Sequence, residues 1–385
     1  MTGQRFCPAG RAADDVTMQA SDPMPTLSKR LSTVRGPARG PAGAGASPPS
    51  LDGAVLGLMG AGIALRKGPV VGRFVRDNGY VPNLARPIRL EEKLLWRKLV
   101  DRNPLFVALC DRAREKDFVA RLCPGLTVPA TRWMGQVFPA QFDDKLTADV
   151  VLLANHRREL AIGPEHFDLS SDVLQPILYR WLDTQFGFKE AEWGSTLARR
   201  CLLIEDLPVP PWGSYQRLEI DAVPGGPLLI TAICGTRLGS KRTAYFRASG
   251  ARLPALEAEQ LADHLPLDYD LPSAASACLG HVKALSAHLD YARYSFEITA
   301  SGPVFRNIDV YPRPLAIRRA AGPHARRILG ELAEAWDLKM SWFMRNEQLG
   351  RPLWEHYRSR LLRRADIAGS GPTPAWRRQQ DGAGE

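Results

Sequence analysis

The stretch DVVLLANHRRELAIG, Asp149 to Gly163, decides how the rest of the chain is read. Val150 to Leu153 is an unbroken apolar run of β-forming residues, bounded by Asp149 and by the polar cluster Asn155, His156, Arg157, Arg158 and Glu159. Such a run reads as a buried strand ending in a polar turn. Leu160 to Ile162 resumes the apolar character and stops at Gly163-Pro164, so the unit is a hairpin with a charged tip. Taken alone, a strand-turn-strand unit with basic residues at its tip suits a solvated hairpin better than a site. Its meaning comes from its flanks.

Working outward, Leu90, Leu94, Leu95 and Leu99 fall at helical spacing, with Glu91, Glu92, Lys93, Arg97 and Lys98 on other faces, which predicts an amphipathic helix. Asn103-Pro104 reads as an N-cap followed by proline at the first helical position, opening a second helix that runs through Leu122 and ends at Cys123-Pro124-Gly125. Val128 to Met134 is a predicted strand and Leu174 to Phe186 a predicted helix, with Pro176 near its start. Cys201 to Ile204 is another short apolar run, closed by Glu205-Asp206. Tyr215 to Val223, the turn Pro224-Gly225-Gly226-Pro227 and Leu228 to Cys234 read as strand, turn, strand. Ser273 to His288 is helical, and Tyr291 to Thr299 with Pro303 to Val310 form a hairpin around Ser301-Gly302. Beyond Pro314 the pattern is helical and basic, with Leu332, Trp336, Trp342 and Phe343 in one helix and Trp354 and Tyr357 in the next. Cations interleaved with tryptophans leave open a helix lying on a membrane surface or a partner; a helix covering the sheet is the better expectation.

Composition bounds the rest. With 385 residues, 45% of them hydrophobic, the chain can bury a sizeable core in one large or two ordinary domains. A formal net charge of +10 favours anionic partners, although part of it lies in the tails. No nucleic-acid-binding motif accompanies that charge, so nucleic acid is not an expected partner. The six cysteines are scattered with no CxxC pair, which argues against a zinc site or a disulfide framework and for free thiols in a reducing compartment. Ala54 to Leu65 is apolar but only about a dozen residues long, against the roughly twenty that a spanning helix needs. The N-terminus shows no signal-peptide pattern, so the expectation is a cytoplasmic protein, with peripheral membrane association left open. The Gly-, Ala-, Pro- and Arg-rich residues 1–50 and the residues after Ala368 read as disordered tails.

The order EKL-x-W-x-KL-x-DRNPL in Glu92 to Leu105, the Asn155-His156 pair after its strand, Glu192-Trp193, and Arg242 to Tyr245 together resemble the teichuronopeptide-biosynthesis-like (TupA-like) ATP-grasp family, over roughly Arg86 to Leu315. The resemblance implies an α+β, ATP-grasp fold in which two α/β subdomains grip a central cleft. The boundaries that follow are an N-terminal helical region at 51–135, a small subdomain at 136–207, a large subdomain at 208–318 and C-terminal helices at 319–367. It further implies ATP and Mg²⁺ as cofactors, and a reaction that joins a carboxylate to an amine through an acyl phosphate, in the synthesis of cell-surface polysaccharide or glycopeptide. The implied partners are a nucleotide and an anionic glycan or glycopeptide precursor.

Carried over residue by residue, the resemblance puts Asn155, His156, Arg157, Arg158 and Glu205 on the nucleotide, with Glu205 at the adenosine edge. Arg293, Lys241 and Arg242 fall where an anionic substrate or phosphate would be held. Several family groups are exchanged: Leu153 stands at the phosphate lysine, Arg157-Arg158-Glu159 replace a Gly-Ser-Gly turn, Gln216 replaces a second lysine, and Ser295 and Asn307 stand at the two metal carboxylates. Residues two apart on a strand share a face, so a relocated magnesium site would use Glu297, Asn307 and Asp309. Two functions of different class follow: an atypical ATP-grasp ligase, or a catalytically inactive relative that binds a glycan precursor or a protein.

Overall fold

The computed structural model describes residues 57–58, 60–63, 65, 67–137, 147–163, 167, 171–208, 214–236, 241–260, 262–313, 322–346, 352 and 354–359. The tails expected at 1–50 and 368–385 lie outside these residues. Within them the chain is α+β, with helices α1 (Gly68–Asn78), α2 (Leu90–Leu99), α3 (Leu105–Cys110), α4 (Arg112–Leu122), α5 (Ser171–Asp183), α6 (Ala275–Ser286) and α7 (Pro323–Ala335). A four-stranded antiparallel sheet has the order β1 (Thr131–Gly135), β4 (Leu202–Asp206), β2 (Val150–Ala154), β3 (Arg157–Ile162). A six-stranded sheet has the order β10 (Gly302–Asp309), β9 (Ala292–Thr299), β5 (Ser214–Val223), β6 (Gly226–Thr236), β7 (Lys241–Arg247), β8 (Asp263–His264), antiparallel except at its β7–β8 edge.

Each sheet is built from strands with two unlike faces. In the larger one, Leu218, Ile220, Ala222, Ile230, Ala232, Tyr294, Phe296, Phe305 and Ile308 form one core with Cys278, Val282 and Leu285 of α6 and with Phe106, Phe118 and Val119 of α3 and α4. The alternate residues of β5 and β9, Arg217, Glu219, Asp221, Arg293, Ser295 and Glu297, form the opposite, charged face, as period-2 alternation requires. In the smaller sheet Val150, Leu152, Leu202 and Ile204 pack on Leu178 of α5, while Val151, Leu153 and Leu203 form a second apolar face.

Two boundaries differ from expectation for a local reason. The helix expected to run from Pro104 to Leu122 breaks at Asp111, which is extended (φ −96°, ψ 108°) and caps α4 by accepting the Arg114 N–H at 3.2 Å. The break frees the Arg112 N–H to donate to the Asn155 carbonyl at 3.1 Å. The hairpin tip expected at Asn155 to Glu159 is a tight turn at Asn155-His156, because β3 already begins at Arg157.

The amphipathic reading of Leu90 to Val100 placed Arg97 and Glu92 on solvent faces, whereas both are buried. Arg97 donates to the Tyr291 carbonyl at 2.9 Å, the Val310 carbonyl at 2.6 Å and the Asp290 carboxylate at 2.8 Å, tying both ends of the β9–β10 hairpin to α2. Its guanidinium lies 4.2 Å from the Trp336 ring centre. Trp336, Phe343 and Tyr357 are buried against α2 and its neighbours, so the C-terminal aromatics cover the chain's own core. Asp101, at the end of α2, accepts the Phe343 N–H at 3.0 Å and keeps its other carboxylate oxygen buried without a hydrogen-bond partner among the described residues.

Burial, reinforced by the like charge of Asp290, raises the Asp101 carboxyl to about 7. The folded state therefore holds this proton more tightly than the unfolded chain, and the stability that follows is present below 3.8 and lost as pH rises through about 7. Asp101→Asn, which cannot ionise, is expected to gain stability relative to the parent across that window. Urea midpoints measured at pH values spanning it check the slope.

Candidate functional site

Between the apolar face of the smaller sheet and the charged face of the larger one lies a cleft of about 1000 Å³. Val151, Leu153, Ala161 and Leu207 line its roof, and His156 sits at the roof's edge with its ring centre 5.1 Å from that of Phe186. Arg217, Glu219, Arg293, Ser295, Glu297, Asn307 and Asp309 line its floor, and Lys98 and Glu192, paired at 2.8 Å, stand at the end formed by α2. The roof suits a flat apolar group and the floor an ionised one.

A single cluster sets the spacing of roof and floor. Glu205, on the roof sheet, is buried between Arg112 and Lys116 of α4. Arg112 reaches it from Nη2 at 3.0 Å and from Nε at 3.1 and 3.2 Å, and Lys116 Nζ lies 2.7 Å away. Burial alone would raise the Glu205 carboxyl, but the two cations outweigh it and hold it below the ordinary range. The same guanidinium is raised by Glu205 and Glu115 against its own burial. Arg112 also donates to the Arg306 carbonyl on the floor sheet, and Glu115 accepts the Ile308 N–H at 2.6 Å. One turn of α4 thus grips β4 on one side and β10 on the other.

The floor owes its pattern to a β-bulge. Phe305 pairs with Phe296 and Asn307 with Ser295, so Arg306 is the extra residue. A bulge leaves two residues opposite one; here it turns Arg306, Asn307 and Asp309 to the cleft and keeps Phe305 and Ile308 in the core. Ser295 and Asn307, the two positions where the resemblance would place metal carboxylates, are direct cross-strand partners.

His156, Glu205, Arg293, Glu297, Asn307 and Asp309 all line the cleft. Glu205 does so as the anion of a closed ion cluster, which leaves an adenosine contact only to whatever of its edge the cations do not cover. Arg293 is held by Asp221, at 3.1 Å from Nη2, and by Glu219 at 3.7 Å, which together raise its guanidinium despite burial. Asn155, expected on the nucleotide, is fully buried, its carboxamide accepting the Ala113 N–H at 3.1 Å and donating to the Arg199 carbonyl at 2.7 Å, so it ties the hairpin to α4. Lys241 and Arg242, expected at the reacting end, are exposed on β7, three strand spacings from β9, roughly 14 Å. They do not line the cleft, because strand order and not chain distance sets which residues meet. The backbone of Arg157 and Arg158 lies in β3; their side chains are outside the described set.

The expected magnesium set shares a face without converging. Glu297 stands opposite Val304, and Asp309 stands opposite Arg293, four residues further along β9, so their rows are about 13 Å apart. Glu297 is already neutralised, with Arg306 Nη1 at 2.6 Å and Arg217 Nη2 at 3.5 Å. Asp309 accepts the Tyr311 N–H at 2.9 Å. Magnesium asks for a near-octahedral shell of oxygens at about 2.0–2.1 Å, and two guanidiniums on the one buried carboxylate oppose a dication. Among the described residues, no three His, Cys, Asp or Glu side chains gather as a metal centre. These side chains do not fit a resident magnesium ion.

Arg112, Lys116, Arg217, Glu219 and Arg306 escaped the sequence reading. The alternation of Arg217, Glu219 and Asp221 with Leu218, Ile220 and Ala222 is a legible half-buried strand, and Phe305-Arg306-Asn307-Ile308, two polar residues between two apolar ones, is a bulge signature. Arg112 and Lys116 carry no local signal, since a charged helix looks the same whether its partner is water or a buried carboxylate.

No protein-family model matches the sequence, and no curated protein matches it. Among solved structures the chain is similar to the D-alanine–D-alanine ligase of Bacillus anthracis complexed with ATP, at 16% identity and a TM-score of 0.34 over 60% of this chain and 65% of that one. It is similar to the ATP-grasp ligase PsnB complexed with a phosphomimetic variant of its minimal precursor, Mg and ADP, at 11% identity and 0.32 over 60% of each chain. It is also similar to the macrocyclase MdnC of Microcystis aeruginosa MRC bound with precursor peptide MdnA, at 14% and 0.31 over 59% of this chain and 60% of that one. The chain spans less than two thirds of the length of each.

Removing Glu205 leaves two buried cations without their counter-charge, so Glu205→Ala is expected to cost about 3–5 kcal/mol in chemical denaturation. Because the folded carboxyl is depressed, this contribution is present above the ordinary value of 4.5 and disappears as pH falls through the folded value. A variant as stable as the parent at neutral pH would remove the cluster's role.

Proposed function

We propose that the cleft binds a nucleotide and that the chain is a divergent ATP-grasp protein of surface-polysaccharide or glycopeptide synthesis, of the class that joins a carboxylate to an amine. The observation that carries this reading is that one cleft collects His156, Glu205, Arg293, Glu297, Asn307 and Asp309, from four separate stretches of the chain, Glu297 and Asp309 having been chosen by strand period and the others by the resemblance. The division of labour between its walls supports it. An apolar roof at Val151, Leu153 and Leu207 suits a purine, and a floor carrying Arg217, Arg293 and Arg306 suits phosphates. In that chemistry a substrate carboxylate oxygen attacks the terminal phosphorus and ADP leaves. The amine then attacks the acyl carbon and phosphate leaves. The charge built up on the transferring group has to be met by cations in a site shielded from water.

A second reading, a relative that binds a glycan precursor or a protein partner without catalysis, is favoured by one observation. Glu219, Asp221 and Glu297 on the floor are each engaged by arginine, and Leu153 faces the cleft where the family carries its lysine. The two readings separate on turnover: the first requires ADP release in the presence of a carboxylate and an amine, the second binding alone.

Ala161 lies on the exposed strand β3 and faces the roof, so a bulky side chain there fills the cleft without entering a core. Saturable binding of a fluorescent ATP analogue, displaced by ATP, is expected for the parent and lost in Ala161→Trp at unchanged melting temperature. A parent that binds no nucleotide at millimolar concentration, where affinity is only about −4 kcal/mol, sinks the nucleotide reading.

A further inference from the structure

On the reading that the cleft takes a nucleotide, we propose that its phosphates are gripped by the guanidiniums of Arg217 and Arg306 in place of a magnesium ion, and that Glu297 is the internal anion that holds this pair when the cleft is empty. Three carboxylates on this face of the sheet are already taken by arginine, while Asp309 accepts the Tyr311 N–H. Asp221 is taken by Arg293 and by the Tyr291 hydroxyl at 2.6 Å, Glu219 by Arg293, and Glu297 by two arginines at once. What the floor shows at Glu297 is one carboxylate shared by two guanidiniums.

The cluster is built rather than incidental. Arg306 follows core-facing Phe305 onto the cleft side, where the bulge sets it beside Asn307, and Arg217 faces Glu297 directly across the β5–β9 ladder. The Glu297 side chain is 3% exposed and Arg306 37% exposed, so the anion is fixed in the wall while one cation opens to the cleft. Arg217 packs its guanidinium 5.2 Å from the Tyr215 ring centre, and its Nε is buried with no hydrogen-bond partner among the described residues. Glu297 likewise has one carboxylate oxygen buried without such a partner. A dication near Glu297 would meet both guanidiniums. A phosphate oxygen there meets two planar donor groups suited to bidentate contact.

The idea makes opposite-signed demands of neighbouring side chains. Phosphate and Glu297 compete for the same guanidiniums, so Glu297→Gln is expected to tighten ATP binding. A metal ligand replaced by an amide would weaken it. Arg306→Ala is expected to weaken ATP about tenfold, the loss of one charge-assisted contact, with Arg306→Lys in between.

The test is isothermal titration of the full chain with ATP and with inorganic tripolyphosphate, each in EDTA and in excess magnesium, and of manganese alone followed by electron paramagnetic resonance. Equal ATP affinity with and without metal, weakening by Arg306→Ala, tightening by Glu297→Gln and no manganese bound by the free protein are the expected results. ATP binding that appears only with magnesium, or that Glu297→Gln abolishes, overturns the arginine grip and leaves the nucleotide reading standing. Metal-independent binding indifferent to Arg306→Ala removes these arginines from the role. No binding of ATP under either condition overturns both readings. Melting temperatures of the variants, expected to stay near the parent's, keep loss of binding distinct from loss of fold.

Discussion

A carboxylate buried between a guanidinium and an ammonium holds the functional half of this molecule together. Glu205 belongs to one sheet, Arg112 and Lys116 to a helix, and the other reach of that helix turn ends on the backbone of the second sheet through the Arg306 carbonyl and the Ile308 N–H. Burying such charges is costly, and the cost is offset only while every member of the cluster is in place. The cluster therefore tolerates one arrangement of helix and sheets. That arrangement puts an apolar roof over a charged floor and fixes the gap between them. The interruption at Asp111 is part of the same device, since a continuous helix would keep the Arg112 N–H inside its own ladder and away from Asn155.

The floor shows how a small change in backbone register decides chemistry. Without the bulge at Arg306, strict alternation would turn Asn307 and Asp309 toward the packed face and Ile308 toward the cleft. With it, Ile308 stays in the core and Asn307 and Asp309 join Arg306 on the cleft side. The two positions where the resemblance would put metal carboxylates, Ser295 and Asn307, pair with each other across the hairpin. They are thus one place in space, though they read as two in the sequence.

At the end of the cleft formed by α2, Arg97 performs for the helices what Glu205 performs for the cleft. It spans the two carbonyls that flank the β9–β10 hairpin and stacks beneath Trp336, so the N-terminal helix, the hairpin and the C-terminal helices close on one another. The tryptophans that interleave with cations in the C-terminal stretch are accounted for by this packing where they are buried.

The sequence alone carried β5, β6, β9 and β10 of the larger sheet, because β5 and β9 alternate between two unlike faces and the turns at Pro224-Gly225 and Ser301-Gly302 are marked by glycine or proline; β7 was not read as a strand. It also carried the two-sheet architecture, through short motifs in a fixed order, and it selected six residues that line one cleft. It could not say what those residues touch. Whether a charged side chain meets water, a phosphate or a buried partner depends on groups that are distant in the chain, so Arg97, Arg112 and Glu205 look like surface residues until the fold brings their partners within about 3 Å. Strand order removed Lys241 and Arg242 from the cleft, which no local pattern announces, and the bulge in β10 set Asn307 and Asp309 on the same side as Arg306. Local periodicity is set by which face of a strand is dry; the identity of a site is set by which dry or wet faces are made to meet.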